Sequence, residues 1–196
     1  MTKKTPKNYL TKFDEINKFT EEMWINNISQ SEFKDYYEDL LIDAYLSGFQ
    51  WASDTIGDTV DNTTDIKTIS SKDIDVNEVS KVINKSTAGK TANDRLNAHF
   101  DDFNTAGIKN TLETEYHRIF NESAVSTAKK MGYKYKTWVT MGDDKVRETH
   151  DVLEGVKVKI DEEFVTIDGD SAMTPGGFMN AENNCNCRCI LGFGNN

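Results

Sequence analysis

The 196 residues suffice for one ordinary domain or two small ones with a real apolar core. A hydrophobic fraction of 37% with 10% aromatics excludes an intrinsically disordered chain, and no apolar run is long enough to span a bilayer. Thirty-three acidic against 23 basic residues give a net charge of −10, a surface that repels phosphate and argues against general coating of nucleic acid.

The opening is locally basic. Lys3, Lys4, Lys7 and Lys12 precede the first acid, Asp14, and read as a solvated tail without the apolar stretch of a secretion signal. Tyr9, Phe13, Ile16, Phe19 and Met23 recur at three- and four-residue steps and predict one amphipathic helix. Ser29 with Glu32 has the spacing of a capping box, opening a second helix that carries Phe33, Tyr37, Leu40, Leu41, Ala44 and Tyr45 and fades at Gly57. Residues 57–74 lose the period and read as a connecting loop. A short helix follows, with Asp75 as N-cap, Glu78 at the capping-box position, and Val79, Val82 and Ile83 inward.

Ser86 to Thr91 superficially resembles a phosphate-binding loop. The required glycine five residues before Gly89 is Asn84 here, so a polar turn between helices is the better reading. Asn93 to Met131 carries the strongest helical signal, with a break expected at Gly107. Lys129 and Lys130 suit the negative pole of that helix, and Gly132 suits its C′ position.

Past Gly132 the period falls to two. Residues 133–141 predict a strand. Asp143 or Asp144 is expected to cap a short helix running to Leu153, stopped by Gly155. Short strands are expected at Val156–Ile160, Phe164–Ile167 and Cys189–Phe193, with turns at Asp168-Gly169-Asp170 and Pro175-Gly176-Gly177. The expected fold class is α+β: a helical N-terminal region (1–92), then a long helix with a compact domain built on a short antiparallel sheet (93–196).

The informative residues cluster late. Arg147 and His150, three apart, are expected on one helix face. In an extended Cys187-Arg188-Cys189, both thiols share one side and Arg188 takes the other. Thr114-Glu115 with Arg118 and Asn121 lie upstream on the long helix. Lys136-Thr137-Trp138, Asp144, Arg147, His150, Leu153-Glu154-Gly155, Phe164, Pro175-Gly176 and Cys187-Arg188-Cys189 follow in order.

This ordered set resembles the phage head morphogenesis family, the Mu F-like minor head proteins, over about residues 110–191. Cys185 adds a third thiol to the family's pair, and the N-terminal half carries no matching motif. The resemblance implies a structural protein rather than an enzyme: a minor capsid component associated with the portal and other head proteins. Such a protein is made in the host cytoplasm and ends in the virion, the phage head. Some relatives bind DNA, but the net charge of −10 does not support carrying that over.

Two chemical alternatives stand beside that reading. His150 with Cys185, Cys187 and Cys189 offers four donors of the types zinc prefers, although Cys-x-Cys is not the usual chelating turn. The favoured reading has no metal or other cofactor: Arg147 and His150 hydrogen-bond to the last strand, and the thiols act as small apolar groups. A hydrolytic or toxin-like enzyme could pair Cys187 or Cys189 with His150, but no orienting group or oxyanion site can be named, so no catalytic residue is assigned. His99 and His117 have no metal-spaced partner, and Glu115 with Arg118 reads as a structural ion pair. Asp161, Glu162, Glu163, Asp168 and Asp170 read as a solvated face.

Overall fold

The computed structural model describes residue 6 and residues 9–54, 67–86, 89–102 and 104–195. The basic positions Lys3, Lys4 and Lys7, residues 57–66 of the expected 57–74 loop, residues 87–88 of the expected turn and Phe103 lie outside the described residues; within the rest of that loop Ser71–Asp73 forms one 3-10 turn. Helices α1 (Tyr9–Glu22), α2 (Gln30–Asp54), α3 (Val76–Ile83), α4 (Ala92–Asp101) and α5 (Thr105–Met131) precede a short strand β1 (Tyr135–Val139). The chain then runs through α6 (Glu148–Asp151), β2 (Lys157–Lys159), β3 (Phe164–Val165), β4 (Ser171–Ala172), α7 (Ala181–Asn184) and β5 (Ile190–Gly194). The class is α+β, as the periodicities predict.

Local chemistry starts and stops these helices. Ser29 and Glu32 exchange the two hydrogen bonds of a capping box ahead of α2. Thr91 and Asp94 do the same for α4. Asp75 caps α3 by accepting from the Asn77 amide, but Glu78 does not complete a box; its carboxylate turns to Ser126 and Lys130 on α5. The helices on either side of the expected break end at Asp101 and begin at Thr105, ahead of Gly107. Asn104 is the N-cap of α5 and accepts from the Gly107 amide, so Gly107 is inside the first turn. At the far end Gly132 takes a left-handed φ of 95° and closes α5.

Helix α5 is the spine. Its 27 residues span about 40 Å at helical rise, and 16 of them are buried, on every face rather than one stripe. One apolar cluster joins it to α1, α2 and α4 through Tyr9, Ile16, Leu40, Leu41, Leu96, Leu112, Tyr116 and Phe120. A second lies over its C-terminal half, where Ala124, Ala128 and Met131 meet Trp138, Phe164, Phe178 and Leu191. Helix α2 comes so close at Gly48 that an added methyl would run into the Phe120 carbonyl. Next to that contact Ser123 donates to the Tyr45 carbonyl at 2.7 Å.

The sheet is antiparallel in the order β2-β1-β5, with Trp138 opposite Leu191 and Lys136 opposite both Val158 and Phe193. A separate two-stranded ribbon pairs β3 with β4. The inward face of β1 carries Lys136, Trp138 and the following Thr140. Lys136 reaches through the core to donate to the Met173 carbonyl at 2.6 Å, and burial pushes its amine down to about 8. Ser171–Ala172 and Ala181–Asn184 are regular elements that the periodicity did not predict.

Substituting Gly48→Ala should cost about 1–3 kcal/mol by forcing α2 off α5. Gly192→Ala, whose new methyl would meet only Val139 at 3.9 Å, should stay near wild type in the same thermal unfolding comparison.

Candidate functional site

The residues singled out in the sequence gather in two adjoining places on α5. The first is a buried charge cluster. Glu115 and Arg118, one turn apart, are 1% and 0% exposed. The Arg118 Nε donates to Glu115 at 2.9 Å, and its two terminal nitrogens donate to the Val82 and Ile83 carbonyls at the end of α3. Arg95 of α4 reaches the other oxygen of Glu115, and Glu122 lies 3.3 Å from Arg118. Burial works against the Arg118 charge, but Glu115 and Glu122 outweigh it and hold the guanidinium protonated. Gly176, at a left-handed φ of 85°, sits directly over this turn; a Cβ there would press on Arg118 and His117. The Pro-Gly loop is thus fitted to the helix that carries the ion pair.

His117, on the neighbouring face, is fully buried and pairs through Nδ1 with the Tyr9 hydroxyl of α1. Burial, with smaller contributions from His150 and Arg147, pushes the imidazole down to about 3, so it is neutral at physiological pH. Asn121, one turn on, donates to the Cys189 carbonyl at 3.3 Å and links α5 to the cysteine segment.

The second place is the cysteine segment itself. Cys187 and Cys189 are each 4% exposed and face the same side, as alternation in an extended chain requires. His150, 1% exposed, lies between them with Nδ1 at 3.5 Å from the Cys187 sulfur and 3.6 Å from that of Cys189. Its ring is held edge-on against Trp138 at 5.2 Å and stacked on Phe178 at 5.6 Å. Burial pushes the Cys187 thiol up, but hydrogen bonds from the Cys189 thiol and amide, with Arg147 and Arg188 nearby, bring it below the usual range. The Cys189 thiol is correspondingly pushed far up, because it serves as partner to Cys187 and is itself buried. The two behave as one coupled pair.

Several expectations need correction here. Arg147 is the N-cap residue of α6, outside the helix; its carbonyl accepts the His150 and Asp151 amides, while its guanidinium donates to the Cys185 carbonyl. Neither Asp143 nor Asp144 caps that helix, which is only four residues long. Asp143 instead takes a bidentate pair of bonds from Arg188 at 2.9 and 2.7 Å. Gly155 does close the turn, at φ 73°, and its amide donates to the Trp138 carbonyl. Cys185 stands apart from the other two thiols, its sulfur accepting from Asn110 at 3.3 Å. Asp170 is not on a solvated face: it is buried and accepts from the amides of Ser171, Met179 and Asn180 and from the Asn183 side chain.

Asp170, Asn183, Asn184 and Lys136 are the structural polar residues that periodicity missed. Asn184 makes a reciprocal pair with the Phe178 backbone, at 3.0 and 2.7 Å, which fixes the ring stacked on His150. Apart from Lys136 in the motif ahead of Trp138, only the Asp-Gly-Asp turn signal hinted at any of them.

Chemically, the arrangement offers three soft donors in a closed space. His150, Cys187 and Cys189 place one ligand atom each within 4.8 Å of one another, and they are the group of this kind found among the described residues. The cleft beside them, bordered by Met141, Arg147 and Asn186, has a volume of about 10 Å³, room for one water-sized group.

The sequence model of the family described as "Phage Mu protein F like protein" matches residues 75–192, more than half of the chain. The minor head protein GP7 of Bacillus phage SPP1 is 36% identical over 85 residues, covering 41% of this chain and 27% of that protein. An NAD(+)--arginine ADP-ribosyltransferase, EFV, of Enterococcus faecalis is 39% identical over 72 residues, covering 36% of this chain and 15% of the enzyme. This chain thus aligns with less than a third of either relative. No solved structure matches it.

Two outcomes follow from the cluster. Arg118→Met leaves one oxygen of Glu115 and two α3 carbonyls without their partner and should lower stability by about 3–5 kcal/mol, read in denaturant unfolding; a loss below about 1 kcal/mol would deny the cluster its structural weight. For His117, the unfolded imidazole binds a proton below about pH 6.5 while the folded one resists until about 3. The stability it confers is therefore complete above that range and falls with acidification, at up to about 1.4 kcal/mol per pH unit. His117→Asn should flatten the decline between pH 7 and 5.

Proposed function

The chain belongs to the Phage Mu protein F like family, and on that premise we propose that it is a minor head protein of a tailed phage or prophage, associated with the portal and other head proteins. The observation that carries this reading is the closure of the signature. Trp138, His150, Gly176, Cys187 and Cys189, scattered over some fifty residues, fold onto one stretch of α5 and bury one another. They are used to hold a shape.

A Cys–His nucleophile needs an approach for its substrate. Here both thiols and the imidazole are at most 4% exposed, and the adjoining cleft admits one water-sized group. The reading is therefore structural. The ADP-ribosyltransferase relative does not change it, because the match touches 15% of that enzyme.

The helical half supplies surface for a partner. Ile42 and Leu46 lie one turn apart on α2 and are 46% and 45% exposed, an apolar pair of the sort that seats against another protein. DNA is left out of the proposal: a net charge of −10 works against phosphate. No helix among the described residues is long and apolar enough to cross a membrane. Assembly would take place in the host cytoplasm, with the protein ending in the phage head.

Co-expression of the full chain with the portal protein of the same phage should give a complex that co-elutes in size exclusion. The pair Ile42→Glu and Leu46→Glu should weaken it at least tenfold while leaving thermal unfolding unchanged. Absence of any complex, together with normal filled heads after deletion of the gene, would refute the assignment.

A further inference from the structure

The signature explains how the C-terminal part closes, yet one feature exceeds what closure needs. Two sulfurs approach the same ring nitrogen at nearly equal distances, 3.5 and 3.6 Å. An imidazole nitrogen has one lone pair or one proton, so it makes one full hydrogen bond to this pair, and the second sulfur leans on the hydrogen bond between the two thiols. A cation at the centre would engage all three atoms at once, since the lone pair and both thiolates can then point inward together.

We infer that His150 Nδ1, Cys187 Sγ and Cys189 Sγ form a tetrahedral site for a soft divalent cation of the zinc class. With metal–nitrogen and metal–sulfur bonds of about 2.05 and 2.3 Å, tetrahedral geometry sets nitrogen and sulfur about 3.5 Å apart. The two observed nitrogen–sulfur distances match that spacing. The donor set, two thiolates and an imidazole, selects zinc over the oxygen-seeking calcium and magnesium. Two thiolates also neutralise a divalent charge, which suits donors this deeply buried.

The donors are fixed in advance. Cys187 and Cys189 share a side by alternation, Asn121 of α5 holds the Cys189 carbonyl, and Arg147 at the N-cap of α6 holds the Cys185 carbonyl. Trp138 and Phe178 clamp the imidazole plane. His150 engages its neighbours through Nδ1 alone; its Nε2 is buried without a hydrogen-bond partner. The fourth position opens on the small cleft bordered by Met141, Arg147 and Asn186, which has room for one water. Cys185 does not complete the set, because its sulfur is turned to Asn110. The ion would join α6 to the approach of β5, a cross-link whose existence does not depend on the head-assembly reading.

The test is elemental analysis of the full chain, expressed with zinc in the medium and purified without chelator. About one zinc per chain is expected. Exchange into cobalt should give thiolate-to-cobalt charge transfer in the near ultraviolet and the strong visible bands of a tetrahedral ion. A strong chelator should lower the thermal midpoint by roughly 5 °C or more. Cys187→Ser, Cys189→Ser and His150→Ala should each lose the ion, and Cys185→Ser should keep it. Should those variants fail to fold, the wild-type stoichiometry and cobalt spectrum still decide. Folded wild type without metal and without the charge-transfer band overturns the proposal, as does loss of metal in Cys185→Ser.

Discussion

A long helix buried on all sides while carrying charge is the constraint from which the rest follows. Helix α5 puts Glu115, Arg118, His117 and Asn121 where no water can reach them. The two charges must be answered, because an unanswered buried charge costs several kcal/mol, and His117 and Asn121 each find a partner through one of their polar atoms. Those answers come from separate elements: Arg95 from α4, the last carbonyls of α3, the Tyr9 hydroxyl from α1 and the Cys189 carbonyl ahead of β5. Satisfying one helix therefore assembles most of the chain. Apolar burial supplies the bulk of the driving force, and the polar partners set which arrangement is reached.

The C-terminal part obeys the same logic at smaller scale. Its strands are two to five residues long, too short to stand alone, and they close over α5 by inserting large rings. Trp138 touches His150, Phe164 and Phe178, and the Trp51 indole of α2 donates to the Leu191 carbonyl in β5 at 2.8 Å. Glycines appear where backbone must come close: Gly48 against Phe120 and Gly176 against Arg118. The signature residues are thus largely the hinges and rivets of a closed shape. That is the physical sense in which membership of the family can be recognised by them.

Elements governed by nearest neighbours were legible in the sequence. The faces of α1 and α2, the Ser29–Glu32 box, the Asp75 cap and the Gly132 stop depend on residues within a turn of each other. What escaped was decided at a distance. Alternation identified β1 and put Lys136 on the same face as Trp138, but nothing local says that the face carrying a lysine is the inward one; a carbonyl 37 residues away makes that tolerable. Asp143 has the composition of a helix cap, and Arg188 claimed it instead. Asp170 sits in a turn motif that is usually solvated, and three backbone amides folded over it. Of the site, the association of Trp138, His150, Cys187 and Cys189 was readable as an ordered pattern, while the separation of Cys185 from them was not.

The central claim is that α5 binds the helical half and the C-terminal part into one cooperative body. Amide hydrogen exchange of the intact chain, followed residue by residue, tests this most directly. The account predicts that the middle of α5, β1 and β5 exchange at a common, slowest rate set by global unfolding. If β1 and β5 instead exchange through their own low-energy opening while α5 stays protected, the two parts are merely adjacent, and the account is wrong.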